Sequence, residues 1–525
     1  MKHWRKTLLA TAMILVLIAT LLTGCGSPAG SEGDDTAEPA EKTIVYAVGS
    51  AWSRLMPYDL VGMFSIMPNE KIFDRLVGFD NENIIYYRAA ESIDVSEDMK
   101  TFTVHLREDS LWHDGEPVTA YDWEWTFQTM AKPEFEGYGS RGFLSGFAGT
   151  DESGTGDIEI YAIDEYTLEM NLKSASTPEA YFGSYCYYYY VLPKHLLEDI
   201  PIEELGTCDF WNNPIGSGPC KFVSETPGYE VVTEAFDDYY LGRPQFDKLI
   251  YRVMDEDTLS TGMLNGEFDT GWNTVSAEEA LETLDGKNGI HAEMVDNKIT
   301  LQLNINNEKF PADVRHAIEI AIDKQLIVDS VLKGHGQVVC SALMPSSPYF
   351  NSDIVFERDV EKAKELLDGA GFDYSQTYTL AATNSQREQI AAIIQQNLAE
   401  VGIKVEIMTG DAATLMSGAR DGSIDMALIQ TTTGASPTYL ILDYAVGTVT
   451  YGRVQDPKYY DAHVAVNMAT DTEERIKLAW EMQELLWEES PYINLFAQDI
   501  YMVCSEKLDN ITVPNNDKCW EWEVK

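Results

Sequence analysis

TYTLAAT at 377–383, IKVEIM at 403–408 and SIDMALI at 423–429 are three short apolar runs rich in β-branched and aliphatic residues, the composition of buried strands. Between the first two, apolar residues recur at helical spacing over 387–401, and a second amphipathic segment runs through Leu415 between the next two. Strands alternating with helices require right-handed crossover connections, which place successive strands side by side in a mostly parallel sheet. The C-terminal third is therefore expected to be α/β.

Working toward the N-terminus, TIVYAV at 43–48 reads as the opening strand, and Ile72, Phe73, Leu76 and Val77 are spaced for one face of a helix. TFTVHLRE at 101–108 alternates, with Phe102, Val104 and Leu106 on one side, as a half-buried strand does. His113-Asp114-Gly115-Glu116 supplies turn chemistry. Thr119 followed by Asp122 has the spacing of a capped helix start, with Trp123, Phe127 and Met130 on the buried face. IEIYAIDEYTLEMNL at 158–172 predicts a hairpin turning at Asp164-Glu165. The tyrosine run at 187–190 reads as strand packing rather than a binding platform.

The ends speak to location. Lys2, Arg5 and Lys6 precede an apolar run from Leu8 to Leu22, the layout of an export signal. LTGC at 22–25 resembles the bacterial lipobox, which implies a signal peptide over 1–24 and lipidation of Cys25. Residues 26–42 are small and acidic and cannot repay the entropy of ordering, so they are expected to form a flexible tether. The rest is rich enough in apolar residues, at 45% of the chain, for two or three packed domains. With 37 basic and 86 acidic residues the net charge is −49, which repels nucleic acid and anionic membrane surfaces. Six further cysteines contain no CxxC pair; Cys208 with Cys220, or Cys504 with Cys519, would close short loops, and free buried thiols fit equally well.

Three blocks carry a family resemblance. KIFDRLVGFD at 71–80 with AAESIDVSEDMKTFTVHLREDSLWHDGEPVTAYDWEWTF at 89–127 is similar to the helix, hairpin and "F-x-L-R…DG-x-P-x-T-A-x-D" signature of the oligopeptide, dipeptide and nickel solute-binding proteins. NPIGSGPCKF and the chain onward to Trp272 resemble the same family's "G-T/S-G-P-Y/F" turn and "L-x-x-G-E-x-D" segment. Here Cys220 replaces an aromatic residue and Asp237-Asp238 an asparagine-like one. LQLNINNEKFPADVRHAIEIAID at 301–323, followed by DVEKAKELLDGAGFD at 359–373, resembles its "N-x-x-x-x-P…V-R-x-A-x-x-x-A-I-D" helix.

The resemblance implies an α/β, two-lobed periplasmic-binding-protein-like fold of type II with a small domain inserted in the first lobe. Lobe I is expected at 43–70, 190–285 and 496–525, the inserted domain at 71–189 and lobe II at 290–495. It also implies capture of a peptide or peptide-like solute by lobe closure, delivery to an ABC permease and ATPase complex, and a place on the outer face of the cytoplasmic membrane through the lipid anchor. Nickel or another non-peptide solute, or a receptor-like sensory role, are the alternatives.

Catalytic motifs are missing: there is no HExxH, P-loop lysine or GxSxG, and no cofactor is expected. None of the 8 histidines stands three or four residues from another, so no metal site is expected, and His105 and His113 read as structural. Position within the matched blocks nominates Trp52 and Phe64 in the loop after the first strand, Trp272 and Asn273 near the hinge, and Asn304 and Asn306 on the opposing strand. Thr433, Gly434 and Tyr439 lie in the segment where peptide-binding relatives hold the ligand's ammonium with an aspartate. Residues 430–439 here contain no acid, so a free-amine peptide would need another carboxylate, with Asp59 and Asp443 as candidates. Arg387 is near the family's carboxylate-holding arginine but one place out of register, about 100° around a helix, and is set aside.

Overall fold

Two mixed sheets organise the described residues, among which two strand-to-strand passages connect them. The computed structural model describes residues 41–49, 52, 54–58, 63–79, 85–135, 141–185, 189–254, 258–271, 277–295, 299–341, 343, 345, 347–432, 451–454, 456–469, 471–511 and 518–525. Lys42–Lys525 form one compact unit, and residues 1–40, Cys25 among them, lie outside the described residues. Among the described residues no helix is long and apolar enough to cross a membrane.

The first sheet has seven strands in the spatial order Ile290–Val295, Ile500–Ser505, Thr270–Gly271, Thr43–Val48, Lys248–Val253, Glu230–Ala235 and Cys220–Thr226. Its centre is parallel: Thr43–Val48 runs alongside both Lys248–Val253 and Thr270–Gly271. The second has six, in the order Gly336–Val338, Tyr492–Gln498, Ile299–Ile305, Met426–Thr432, Thr377–Ala382 and Lys404–Thr409. The α/β expectation holds for its last three strands, which are mutually parallel and joined by the helices Ser385–Glu400 and Ala412–Asp421. Asn384 and Asp411 cap these helices, accepting from the backbone N–H of Arg387 and Thr414 at 2.9 Å each. The remaining strands of that sheet are antiparallel, because Ile299–Ile305 enters from the first sheet and Tyr492–Gln498 returns to it.

Strand pairing shows where the chain leaves each sheet. Ile290–Val295 pairs with Ile500–Ser505 in the first sheet, and Tyr492–Gln498 pairs in the second. The chain thus passes between the sheets after Val295 and at Asp499.

A four-stranded antiparallel sheet, in the order Ala90–Val95, Thr101–Leu106, Thr167–Asn171 and Ile160–Asp164, occupies the expected insert. Phe102, Val104 and Leu106 are buried as their alternation requires, and Asp122 closes a capping box on Thr119 that starts Ala120–Met130. Tyr189 and Tyr190 are buried, as the packing reading holds.

The helix expected around Phe73 and Leu76 ends earlier, spanning Met63–Ile72. The Ile72 carbonyl accepts from the Gly218 N–H at 2.8 Å instead of continuing the helical ladder. That turn sits against backbone: a Cβ on Gly216 would lie 1.9 Å from the Ile72 oxygen and one on Gly218 2.5 Å from the Lys71 oxygen. His113 fastens the turn from the other side, with Nε2–H donating to the Gly218 carbonyl at 2.9 Å and Nδ1 accepting from the Gly216 N–H at 3.2 Å. His113, just before the exposed Asp114-Gly115-Glu116-Pro117 turn, thus joins that turn to the buried Gly216-Ser217-Gly218-Pro219 turn.

Candidate functional site

Register alone locates the gap between the sheets. In the first sheet Thr270 lies opposite Cys504 and Val295 opposite Ile500, so the parallel strands ending at Val48, Val253 and Gly271 all run toward the crossing at Asp499. In the second, Thr432 lies opposite Ile299, the first described residue after the other crossing. Met426–Thr432, Thr377–Ala382 and Lys404–Thr409 are parallel, so their carboxyl ends share that edge. In open α/β sheets ligands bind outside the carboxyl ends of the strands, and here two such edges lie on the side of the crossings.

On the first sheet's edge, Trp52 is 5% exposed and its Nε1 donates to Glu225 Oε1 at 2.6 Å. It is packed and hydrogen-bonded, and holds a carboxylate one residue from the end of Cys220–Thr226. Beside it Arg252 and Glu230 form an ion pair at 3.0 Å. Phe64 lies on the helix Met63–Ile72 with only its backbone described. Trp272, Asn273, Thr433, Gly434, Tyr439, Asp59 and Asp443 lie outside the described residues.

Asn304 and Asn306 take a different position. They stand at the far end of Ile299–Ile305, roughly 17 Å from the crossing at 3.4 Å per residue, and both are buried. Asn306 Oδ1 accepts from the N–H groups of Glu308 and Lys309 at 3.0 and 3.2 Å, and its own N–H donates to the Asp425 carbonyl. Its role is to close a turn. Strand alternation identifies a face but not which end of the strand lies near the crossing, so the structure places Asn304 and Asn306 away from it.

That far edge also carries an open pocket of about 290 Å³ lined by Asn307, Arg315, Arg453, Lys458, Tyr459 and Glu489 among others. Its charges are matched internally: Lys458 pairs with Asp456 and Glu489, Arg453 with Glu308, and buried Arg315 donates to the carbonyls of Phe310, Glu489 and Ser490. This is an internal strut of the helix Thr472–Glu489 rather than a receptor for a charged solute.

Arg387, set aside on register, is on the crossing edge. It occupies the first turn of Ser385–Glu400, just beyond the carboxyl end of Thr377–Ala382, and its Nη1 donates to Thr383 Oγ1 at 2.5 Å. Burial alone lowers its pKa, and no carboxylate among the described residues approaches it. Among the described residues no counter-ion neutralises this guanidinium, which stands at the start of a sixteen-residue helix. Its long side chain folds back to Thr383 across the helix start.

The profile of the bacterial extracellular solute-binding proteins, family 5, middle region, matches residues 85–452, well over half the chain. The chain belongs to this family. The oligopeptide-binding protein AppA of Bacillus subtilis is 26% identical over 426 residues, covering 77% of this chain and 76% of that protein. The glutathione-binding protein GsiB of Salmonella typhimurium is 25% identical over 496 residues, covering 89% and 91%. Among solved structures, the ABC transporter substrate-binding protein CtaP of Listeria monocytogenes superposes with a TM-score of 0.78 at 20% identity, covering 92% of this chain and 99% of that one. The two-lobed architecture of family 5 is therefore the fold of this chain, and the relatives are solute-binding proteins, not enzymes.

Proposed function

We propose that this family 5 protein captures a peptide or peptide-like solute between its two lobes and delivers it to the permease and ATPase of an ABC importer, while a lipid on Cys25 holds it at the outer face of the cytoplasmic membrane. In this reading lobe I comprises the first sheet with its inserted domain, lobe II comprises the second sheet, and the segments at 296–298 and Asp499 form the hinge. Capture shifts an open and closed equilibrium, because a ligand touching both lobes binds the closed form better.

Arg387 carries the reading. A half-buried cation with no anionic partner among the described residues, on the crossing edge of a chain with net charge −49, is a site for a ligand's carboxylate. AppA and GsiB are named for oligopeptide and glutathione binding, ligands that carry such a group. At the other end of the ligand, the acid-free stretch 430–439 argues against an ammonium held as in peptide-binding relatives.

Native mass spectrometry of freshly purified protein identifies retained cargo, and calorimetry on matched free and N-acetylated peptides tests its class. Binding of N-acetylated peptides at least as tightly as free ones is expected. A preference for the free amine would overturn the ligand class and point to a compensating acid, with Glu225, Asp59 and Asp443 the candidates.

A further inference from the structure

The strand Gly336–Val338 is the outermost of the second sheet. Tyr492–Gln498 and Ile299–Ile305, the strands that cross to the first sheet, separate it from Met426–Thr432 and Thr377–Ala382. It starts at the crossing edge, because Gly336 pairs with Gln498, the residue before Asp499. The chain reaches that start through Lys333 and Gly334, both in the left-handed region with φ of 53° and 87°. The Gly334 N–H donates to the Val328 carbonyl at 3.0 Å and the His335 N–H to the Leu332 carbonyl at 2.9 Å. A Cβ on Gly336 would lie 2.8 Å from the Ala497 oxygen. The turn is thus held close against the second sheet. Glycine and asparagine adopt the left-handed region more readily than lysine does, and an uncommon backbone conformation of this kind points to a use for the side chain it aims.

That side chain leaves the second sheet. Lys333 Nζ pairs with Glu278 Oε2. Glu278 precedes the helical turn Glu279–Leu284, which packs over Ile290–Val295 and Ile500–Ser505, the crossing strands at the matching end of the first sheet. Ser260 Oγ donates to Glu279 Oε1 and fixes the start of that turn. Two further contacts span the same flank. The Asp499 N–H donates to the His335 carbonyl at 3.3 Å, and the His335 ring stands edge-on to Tyr501 with centroids 6.4 Å apart.

Both members of the pair therefore stand on the flank of the crossings away from the strands whose carboxyl ends face the ligand. A rotation about the crossings that brings Thr43–Val48 and Met426–Thr432 together spreads this opposite flank, as the two arms of a lever move oppositely.

We propose that the Glu278–Lys333 ion pair is a brake on lobe closure, made while the ligand side is open and broken as it closes. The proposal rests on the closure reading above and adds the residues that set the open and closed balance. They tune affinity from outside the ligand site, since a ligand that binds the closed form works against whatever holds the open one. Lys333 is 60% and Glu278 47% exposed, so the pair has the weight of a surface ion pair, about two- to fivefold in the ratio of closed to open protein. Salt screens it.

The test reads the interlobe distance in the ligand-free full chain. Thr226 and Thr409 are exposed and end the strands Cys220–Thr226 and Lys404–Thr409, the outermost strands of the two sheets on the ligand side. Nitroxides carried at both positions on genetically encoded keto residues leave the native cysteines alone and report by double electron–electron resonance. Lys333→Gln is expected to raise the ratio of short to long distances by about two- to fivefold, and Lys333→Glu by more. The exchanged pair, Glu278→Lys with Lys333→Glu, is expected to restore the wild-type distribution, which a variant that merely folds badly would not do. An unchanged distribution in Lys333→Glu, a shift to longer distances, or an exchanged pair that fails to restore it overturns the brake. Cargo recovered by native mass spectrometry separates this from a failure of closure. If cargo shortens the distance in wild type while ligand-free Lys333→Glu matches ligand-free wild type, the brake alone falls; if bound cargo leaves wild type unmoved, closure itself falls.

Discussion

His113 makes the first lobe's stability depend on pH in a direction the structure fixes. Its imidazole is buried between the Gly216 N–H and the Gly218 carbonyl, with the Phe236 ring edge-on at 5.0 Å, and burial lowers its pKa from 6.5 to about 4. The nearby Lys221 ammonium lowers it further, while the bond to the Gly218 carbonyl and the Asp114 carboxylate oppose the shift. Protonation would put a hydrogen on Nδ1 facing the Gly216 N–H, donor against donor. Because the folded imidazole is the weaker base, the unfolded chain binds the extra proton between pH 6.5 and 4. Stability is full above that window, falls as pH falls through it and is level below it. At about 1.4 kcal/mol per pH unit, the loss is roughly 3 kcal/mol.

Replacing His113 with Gln should cost about 1–3 kcal/mol near pH 7.5 through impaired hydrogen bonds to the turn. The gap to wild type should then narrow by roughly 3 kcal/mol on going to pH 4, because only the wild type bears the protonation penalty. Urea unfolding of both proteins across that range measures the gap. Taking the difference also removes the contribution of His463, whose pKa burial likewise lowers to about 4. A gap that stays constant with pH would refute the argument.

Gly216→Ala drives a Cβ to 1.9 Å from the Ile72 carbonyl oxygen, a clash with backbone that should lower stability by at least about 2 kcal/mol; an unchanged urea midpoint would contradict the junction described here. Arg387→Gln should weaken a ligand with a free carboxylate by about tenfold or more, from a charge-assisted bond of roughly 1.5–3 kcal/mol, while leaving its C-amidated analogue and the unfolding midpoint nearly unchanged, as calorimetry and thermal unfolding would report. Cys25→Ala should move the protein from the membrane fraction to the soluble one; retention at the membrane would mean that the apolar run at 8–22 acts as the anchor.

Local signals in the sequence translated well where one element carried its own pattern. The alternation of Phe102, Val104 and Leu106, the Thr119 and Asp122 cap, and the strand and helix rhythm of 377–432 all have their expected structures, because short-range periodicity reports which face is buried. Positions set by distant partners were harder to read. The helix Met63–Ile72 stops where it does because Gly218, far along the chain, takes the Ile72 carbonyl. At the site, strand direction puts Asn304 and Asn306 at the end of their strand away from the crossing, and the Arg387 side chain folds back to Thr383. Spacing alone carries neither the direction of a strand nor the orientation of a sheet edge.

Small-angle X-ray scattering with and without saturating cargo, using the ligand recovered by native mass spectrometry, tests capture by lobe closure most directly. For the roughly 480 residues of the folded unit, a globular radius of gyration is about 23 Å. The ligand-free protein is expected at a larger value that falls on saturation, with Arg387→Gln requiring more ligand to reach the same compact form. Identical scattering from the two states, with binding independently established, would contradict closure of the two lobes around the solute.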